Sequence, residues 1–239
     1  MSLLLFVFPI LHWKVISRLN KILITALRQI LGIKVIIEGK EHASGRKNFL
    51  IISNHLTYID GIVMGSLFPV LFVSKKEVKS WPLFGVMVSL AATIFIDRER
   101  RNETPVYVEK ISNILKNKIN VMIFPEGTST DGTRLLSFQT AFFSSPIISK
   151  TPVLPIAIRY LQIDNQKISE ANKDMVYWYG KMPFFTHLWE VLKLRKIVVK
   201  VKINPAIDST KFKKDGSRRK ELSTICHDVI NKAIKNIKS

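Results

Sequence analysis

The stretch from residue 49 to residue 60 reads Phe-Leu-Ile-Ile-Ser-Asn-His-Leu-Thr-Tyr-Ile-Asp. It begins with an apolar run, which is typical of a strand buried on both faces of a sheet. A polar turn with Asn54 and His55 follows, and a helix is predicted near residues 58–67. This order places a histidine at the carboxyl end of a strand, where ligands bind in parallel α/β sheets.

Short apolar runs alternate with helical patterns along most of the chain. Strands are predicted at residues 34–38, 49–53, 70–74, 93–97, 121–124, 153–159 and 197–203. Further helices are predicted near residues 77–90, 104–117, 138–148 and 218–236. The polar residues 161–176 are predicted to form a long loop. The alternation predicts an α/β fold, with a mostly parallel mixed sheet of about seven strands flanked by helices.

The N-terminal segment differs from the rest of the chain. Residues 3–11 are apolar, but they are fewer than the roughly 20 that a membrane-spanning helix needs. Beyond them, apolar residues recur at helical spacing, at Ile16, Leu19, Leu23, Leu27, Ile30 and Leu31, with basic residues between them. We expect residues 1–32 to form a membrane-associating helical segment that lies shallowly in the bilayer surface, and residues 33–239 to form the second unit. The alternative is a core-packing helix with a solvated basic face.

The charge of the chain limits its partners. The 239 residues include 37 Lys and Arg against 18 Asp and Glu, a formal net charge of +19. Such a chain attracts polyanions, which include anionic lipid head groups and nucleic acid. No nucleic-acid-binding motif appears, and the lysines are spread along the chain, so nucleic-acid binding is the weaker alternative. The single cysteine, Cys226, excludes an internal disulfide and fits a reducing compartment.

His55 and Asp60 are the candidate catalytic pair. Histidine is suited to general-base chemistry when a carboxylate holds its other ring nitrogen in one tautomer. Residues five apart on a regular helix point about 140° away from each other, so the two side chains meet only if His55 lies in the turn before the helix. The alternative is that Asp60 only caps the helix, as the last residue of a capping box that begins at Thr57.

Two further segments end predicted strands in polar residues. Asp97-Arg98 suits phosphate recognition through a guanidinium fork, although it also belongs to an ordinary cluster of charges. Phe124-Pro125-Glu126-Gly127-Thr128 predicts a sharp turn, in which the glutamate can bind hydroxyls and backbone N–H groups near Gly127 can face an anion. The alternative there is an ordinary turn at the end of a strand.

Pro155 lies within an otherwise apolar predicted strand. Proline cannot donate a hydrogen bond to a neighbouring strand, so it is unfavourable in the centre of a sheet. Its presence predicts an edge strand, a bulge, or the wall of a ligand site.

Four segments, taken in their order along the chain, resemble the glycerolipid acyltransferases. They are the segment of His55 and Asp60, Asp97-Arg98, Phe124 to Thr128, and the strand with Pro155. That family includes the 1-acyl-sn-glycerol-3-phosphate acyltransferases, and the resemblance runs from about residue 35 to residue 205. It implies two catalytic residues, His55 as the general base and Asp60 as its orienting partner. It also implies five substrate-binding residues: Arg98 at a phosphate, Glu126, Gly127 and Thr128 at the acceptor, and Pro155 beside the acyl donor.

The resemblance implies an enzyme that moves a fatty acyl group from acyl-CoA or acyl carrier protein to the free hydroxyl of a lysophospholipid, without a metal or other cofactor. The first expectation for the acceptor is 1-acyl-sn-glycerol 3-phosphate, which gives phosphatidic acid. The implied location is the cytoplasmic face of a membrane with anionic lipids, in a monotopic or peripheral arrangement. A lipid-binding protein that keeps the fold without catalysis is an alternative of another class.

Two departures concern the acceptor. Phosphatidate-forming members usually carry arginine after Phe-Pro-Glu-Gly-Thr, where this chain has Ser129, and lysine after a downstream phenylalanine, where it has Gln139. The run through Asp131 and Gly132, and the later Trp178 to Met182, look more like members that acylate lyso-ornithine lipid. That lipid, or another lysolipid, is therefore the alternative acceptor, and Arg134 is a candidate replacement for the missing arginine.

Overall fold

In the computed structural model, residues 2–45, 48–80, 93–97, 103–212 and 218–237 are described. The apolar runs in these ranges pair into a sheet of eight strands. The strands are β1 Ile33–Glu38, β2 Leu50–Ser53, β3 Val70–Lys75, β4 Ile94–Ile96, β5 Asn120–Ile123, β6 Val153–Ile163, β7 Gln166–Lys167 and β8 Ile197–Ile203.

The sheet order is β1-β8-β6-β2-β5-β3-β4, with β7 paired to β6. Strands β2, β3, β4, β5 and β6 form parallel pairs with one another, and β1 is parallel to β8. Only the β6–β8 and β6–β7 pairs of the described sheet are antiparallel. The predicted α/β class with a mostly parallel mixed sheet is therefore confirmed.

Helices cover both faces of the sheet. They are α1 Ser2–Ile30, α2 Ile59–Leu67, α3 Thr104–Lys116, α4 Ser144–Ser149, α5 Phe184–Lys193 and α6 Arg219–Asn236. Alternate residues of each central strand face opposite sides, so Ile51 joins one core while Leu50 and Ile52 join the other. Helices α1, α2 and α5 pack at the first core and α3, α4 and α6 at the second, where Trp13 of α1 also packs.

Helix α1 is tied to the rest of the fold through α2. Leu27 and Leu31 pack against the core on the α2 side of the sheet. A Cβ atom added to Gly65 of α2 would lie 2.8 Å from Cδ1 of Ile24, so the missing side chain lets the two helices approach closely. Leu19 and Leu23, from the same predicted stripe, are exposed instead. No described helix combines the length and the apolar character that crossing a bilayer requires.

The structure corrects several predicted elements. The predicted loop 161–176 contains the end of β6 and all of β7, which pair through Gln162 and Ile163. Helix α5 was not predicted, because its aromatic residues favour strands by intrinsic preference, although Pro183 precedes it as a helix start. Of the predicted helix 77–90, the described part is a 3₁₀ helix, Lys76–Ser80, and residues 81–92 lie outside the described ranges.

Of the three alternatives for Pro155, the edge strand is wrong, because β6 lies between β2 and β8. The register shift of β6 lies between Tyr160 and Gln162, away from the proline. The β6–β8 ladder ends at the pair of Ile156 with Ile203, so Pro155 lies just beyond it. The carbonyl of Pro155 accepts a hydrogen bond from the backbone N of Asn204 at 3.0 Å. A strand residue directs its N–H and C=O to the same neighbour, so the missing donor falls where the regular ladder with β8 has ended.

Candidate active site

The turn that carries His55 lies at the carboxyl end of β2. Strand β5 is parallel to β2 and ends beside it, so the turn after each strand lies at the same edge of the sheet. The backbone N of His55 donates to Oε1 of Glu126 at 2.8 Å, which joins the two turns directly. The parallel pairing therefore brings together two segments that are more than 60 residues apart in the chain.

His55 and Asp60 are in contact. Nδ1 of His55 lies 2.9 Å from Oδ2 of Asp60, and the same oxygen accepts the backbone N–H groups of Leu56 at 2.7 Å and Thr57 at 3.0 Å. His55 precedes α2 and Asp60 is its second residue, which is the arrangement predicted from the spacing. The bond from the backbone N–H of Thr57 is one of the two bonds of a capping box, so Asp60 binds the start of the helix and also holds the histidine.

Tyr160 of β6 completes the environment of Asp60. Its hydroxyl donates to Oδ1 of Asp60 at 2.8 Å, and the tyrosine is 1% exposed. Burial raises the pKa of Tyr160, and the nearby Asp60 carboxylate raises it further, so the hydroxyl remains a donor. The sequence prediction missed this residue, because it lies 100 positions from Asp60 and no local pattern marks it.

The His55 ring is fixed on one side and open on another. It stacks on Phe124 with ring centroids 4.1 Å apart and an interplanar angle of 15°. Its backbone carbonyl accepts the backbone N–H of Thr130 at 2.9 Å. The side chain is 21% exposed, and no hydrogen bond from the described residues reaches Nε2. With Nδ1 turned to Asp60, Nε2 is the nitrogen that remains for a substrate.

Asn54 anchors the start of the turn to β6. Its side-chain amide donates to the carbonyl of Ile158 at 3.0 Å and accepts from the backbone N of Ile158 at 2.8 Å. The pairing of β2 with β6 ends at Ser53, so the amide continues the ladder by one residue with a side chain. The residue that precedes His55 is therefore fixed to β6.

The carboxylate of Glu126 binds two backbone N–H groups of neighbouring segments. Its two carboxylate oxygens accept the backbone N–H groups of His55 and Leu136, each at 2.8 Å. Burial raises the pKa of Glu126, although these two hydrogen bonds lower it in part. Gly127 closes the turn with a hydrogen bond to Phe124 O at 3.0 Å and a φ of 78°, and Thr128 is exposed. Their predicted roles at the acceptor stay predictions.

The remaining predicted site residues are not brought to His55 by a described contact. Arg98 lies outside the described residues, so its phosphate contact stays a prediction. Pro155 is buried in β6 opposite Ile52 of β2, and its role beside the acyl donor also stays a prediction. Within the described ranges, no three His, Cys, Asp or Glu side chains cluster closely enough to hold a metal ion.

An open cleft of about 510 Å³ adjoins the catalytic turn. Two segments line it, one with Ser129, Thr130, Asp131 and Arg134 and the other with Tyr179. Ser129, which replaces the expected arginine, is buried, whereas Arg134 is exposed at the cleft. The cleft thus contains the position of the departure and the residue predicted to compensate for it.

A family model described as Acyltransferase matches residues 34–159. The chain belongs to the acyltransferase family. The match includes both turns that form the candidate active site and ends one residue before Tyr160. The predicted family and the predicted enzyme class, an O-acyltransferase, are confirmed, and the nucleic-acid alternative receives no support.

Relatives with two different named acceptors resemble this acyltransferase. The lyso-ornithine lipid O-acyltransferase of Rhizobium meliloti is 32% identical over 212 residues, which are 86% of this chain and 70% of the relative. The 1-acyl-sn-glycerol-3-phosphate acyltransferase of Neisseria gonorrhoeae is 30% identical over 171 residues, 72% of this chain and 64% of the relative.

The fold of this acyltransferase also occurs in a solved structure. The crystal structure of the 1-acyl-sn-glycerophosphate acyltransferase PlsC from Thermotoga maritima matches with a TM-score of 0.65. The match covers 95% of this chain and 80% of the other, at 21% sequence identity. At that identity the likeness shows a shared fold.

Proposed function

We propose that this acyltransferase moves a fatty acyl group from a thioester donor to the free hydroxyl of a lysolipid, with His55 as the general base. One observation carries the proposal. Asp60 binds Nδ1 of His55, and the backbone of Leu56 and Thr57 and the Tyr160 hydroxyl hold that carboxylate in place. This fixes the tautomer whose Nε2 is free to accept a proton.

In the proposed reaction, Nε2 of His55 takes the proton of the acceptor hydroxyl as the hydroxyl oxygen attacks the thioester carbonyl carbon. The new C–O bond forms, the C–S bond then breaks, and the leaving thiolate takes the proton back from the imidazolium. Asp60 stabilises the imidazolium, because its carboxylate lies 2.9 Å from Nδ1. General-base assistance of this kind contributes about 10²–10⁴-fold in rate.

For the donor we propose acyl-CoA or acyl carrier protein, both of which present the acyl group as a thioester. For the acceptor, the names of the relatives support two head groups, the phosphate of 1-acyl-sn-glycerol 3-phosphate and the ornithine of lyso-ornithine lipid. Both provide a free hydroxyl, so the same histidine serves either.

We propose further that the enzyme binds the cytoplasmic surface of a membrane through the helices on the α2 side of the sheet. On α1, Leu19 and Leu23 are 51% and 67% exposed, and on α5, Phe185 and Trp189 are 55% and 64% exposed. Both helices pack into the core that includes α2, the helix of Asp60. Exposed apolar and aromatic side chains beside basic residues favour an anionic bilayer surface.

The role of His55 is tested by the substitution His55→Ala. We expect the substitution to lower kcat by about 10²–10⁴-fold, because the general base is removed while Asp60 keeps its other donors. The measurement is transfer from labelled acyl-CoA and acyl carrier protein to both lysolipids in mixed micelles. His42→Ala is the control, because His42 is half-buried on a 3₁₀ segment of the opposite sheet end and should leave the rate unchanged.

A near wild-type rate in His55→Ala would exclude the proposed mechanism. Complete inactivity of the wild-type protein with every donor and lysolipid, combined with retained lysolipid binding, would instead support the lipid-binding alternative.

A further inference from the structure

The open cleft is attached to the catalytic turn on both sides. On one side, the backbone N of Thr130 donates to the carbonyl of His55 at 2.9 Å. On the other, the backbone N of Trp178, the residue before Tyr179, donates to the carbonyl of Leu56 at 3.0 Å. The two lining segments are thus bonded to consecutive carbonyls of the catalytic turn, so the cleft adjoins that turn.

Gly132 lets the loop that contains Thr130 and Asp131 pack closely against the catalytic turn. A Cβ atom at this position would lie 3.0 Å from Cε2 of Tyr177 and 3.2 Å from Cδ2 of Leu56, and its φ is 75°. A side chain would therefore push the loop away from the catalytic turn. The close approach positions the loop that carries Asp131, the preceding residue, in the lining of the cleft.

The cleft carries one charge of each sign on the same wall. Oδ1 of Asp131 accepts the backbone N at 3.1 Å and the hydroxyl at 2.8 Å of Thr133, and these bonds lower the pKa of Asp131. The guanidinium of Arg134 forms no hydrogen bond or ion pair with the described residues. The carboxylate is therefore ionised and the guanidinium is available.

Two charged groups of the neighbouring loop have partners of their own. Lys173 forms an ion pair with Glu170 at 2.6 Å. Asp174 accepts a hydrogen bond from the hydroxyl of Tyr179 at 2.9 Å. Among the residues that line the cleft, Asp131 and Arg134 are the two with charged side chains.

We propose that this cleft binds the head group of the acceptor and selects a zwitterionic amino-acid head over a phosphomonoester. In this arrangement Arg134 pairs with a carboxylate and Asp131 with an ammonium group. The inference rests on the proposed acyl transfer and narrows the class of its acceptor.

The charges of the two candidate head groups explain the selection. Ornithine linked through one amino group keeps a carboxylate and an ammonium, which match Arg134 and Asp131 respectively. A guanidinium fork suits the two oxygens of a carboxylate. A phosphomonoester would also pair with Arg134, but it carries no cation and would bring a second negative charge beside Asp131. Repulsion between the carboxylate of Asp131 and the phosphate would weaken binding of the phosphomonoester relative to the zwitterion.

The test compares kcat/KM for lyso-ornithine lipid and for 1-acyl-sn-glycerol 3-phosphate in the same micelles. We expect the wild-type enzyme to prefer lyso-ornithine lipid. Asp131→Asn should reduce the ratio of the two kcat/KM values about five- to tenfold, since it removes both the attraction for the ammonium and the repulsion of the phosphate. Arg134→Gln should weaken binding of both acceptors. The matched control Asp228→Asn removes an exposed carboxylate of α6 and should leave the ratio unchanged.

Binding is measured separately in the His55→Ala background, where lysolipid affinity does not depend on turnover. The same change of ratio on Asp131→Asn is expected there. A wild-type preference for the phosphomonoester, or an unchanged ratio in Asp131→Asn, would overturn the inference while leaving the acyl-transfer proposal intact. Absence of transfer to both acceptors would overturn the proposed function and this inference with it.

Discussion

At Asp60, donors from two parts of the chain reach one carboxylate. The turn supplies His55 and two backbone N–H groups, and β6 supplies the hydroxyl of Tyr160. The sequence could predict the contact within the turn, because five residues of local geometry determine it. It could not predict Tyr160, because only the pairing of β6 with β2 brings that hydroxyl to the site.

Tyr160→Phe tests this positioning contact. The change leaves Oδ1 of a fully buried carboxylate without its donor, which costs about 1–3 kcal/mol in the free energy of unfolding. We expect kcat to fall about tenfold with little change in the KM for the acceptor, because the Asp60 carboxylate is held less firmly against His55. Steady-state kinetics and denaturant unfolding are the measurements.

Tyr177→Phe is the control for that variant. The Tyr177 ring lies edge-on to Tyr160 with centroids 5.7 Å apart, but its hydroxyl makes no hydrogen bond to Asp60. A kcat within twofold of wild type in Tyr160→Phe would show that the turn alone positions Asp60.

Among the elements, the strands were the most predictable and the aromatic helix the least. Buried strands such as β2 and β5 are short apolar runs that end in turn residues, and this pattern depends only on local sequence. Strand β6 is longer than predicted, because its pairing with β8 continues past a register shift at Tyr160. Pro155 is tolerated there because of where β8 ends, which no pattern around the proline reveals.

The exposed stripes of α1 and α5 give a prediction for membrane binding. Leu23→Glu and Trp189→Glu each place a charge where an apolar side chain is 67% or 64% exposed. We expect each change to weaken flotation with anionic vesicles about tenfold, since one large apolar side chain contributes about 1.5–3 kcal/mol on burial.

Val106→Glu is the matched control for the flotation experiment. Val106 is 63% exposed, but it lies on α3, which covers the other face of the sheet. If Val106→Glu reduces flotation as much as the other two changes, the α2 side of the sheet is not the membrane-binding face.

For the whole molecule, the net charge of +19 predicts that membrane binding depends on salt. Binding to anionic vesicles should weaken strongly between about 0.05 and 0.5 M salt, because the Debye length shortens and each basic residue near the surface loses up to about 1 kcal/mol. Vesicles of neutral lipid should show weak binding with little salt dependence. The measurement is sedimentation of the protein with each kind of vesicle.

A duplex DNA shift at the same ionic strengths is the comparison. Tighter binding to the duplex than to anionic vesicles would support nucleic acid as the partner of this basic protein. The composition of the whole chain predicts that the partner is negatively charged, whereas the fold determines which surface of the protein binds that partner.

The amide of Asn54 extends a β-ladder by one rung, and this has a consequence for motion during turnover. The residue before the general base is clamped to Ile158, and the residue that orients the base is held by Tyr160 of the same strand. The catalytic pair therefore moves with the sheet, whose core hydrogen bonds open last. Opening for entry and release of lipid must therefore come from elements that are not bonded to this turn, and we expect it at α1.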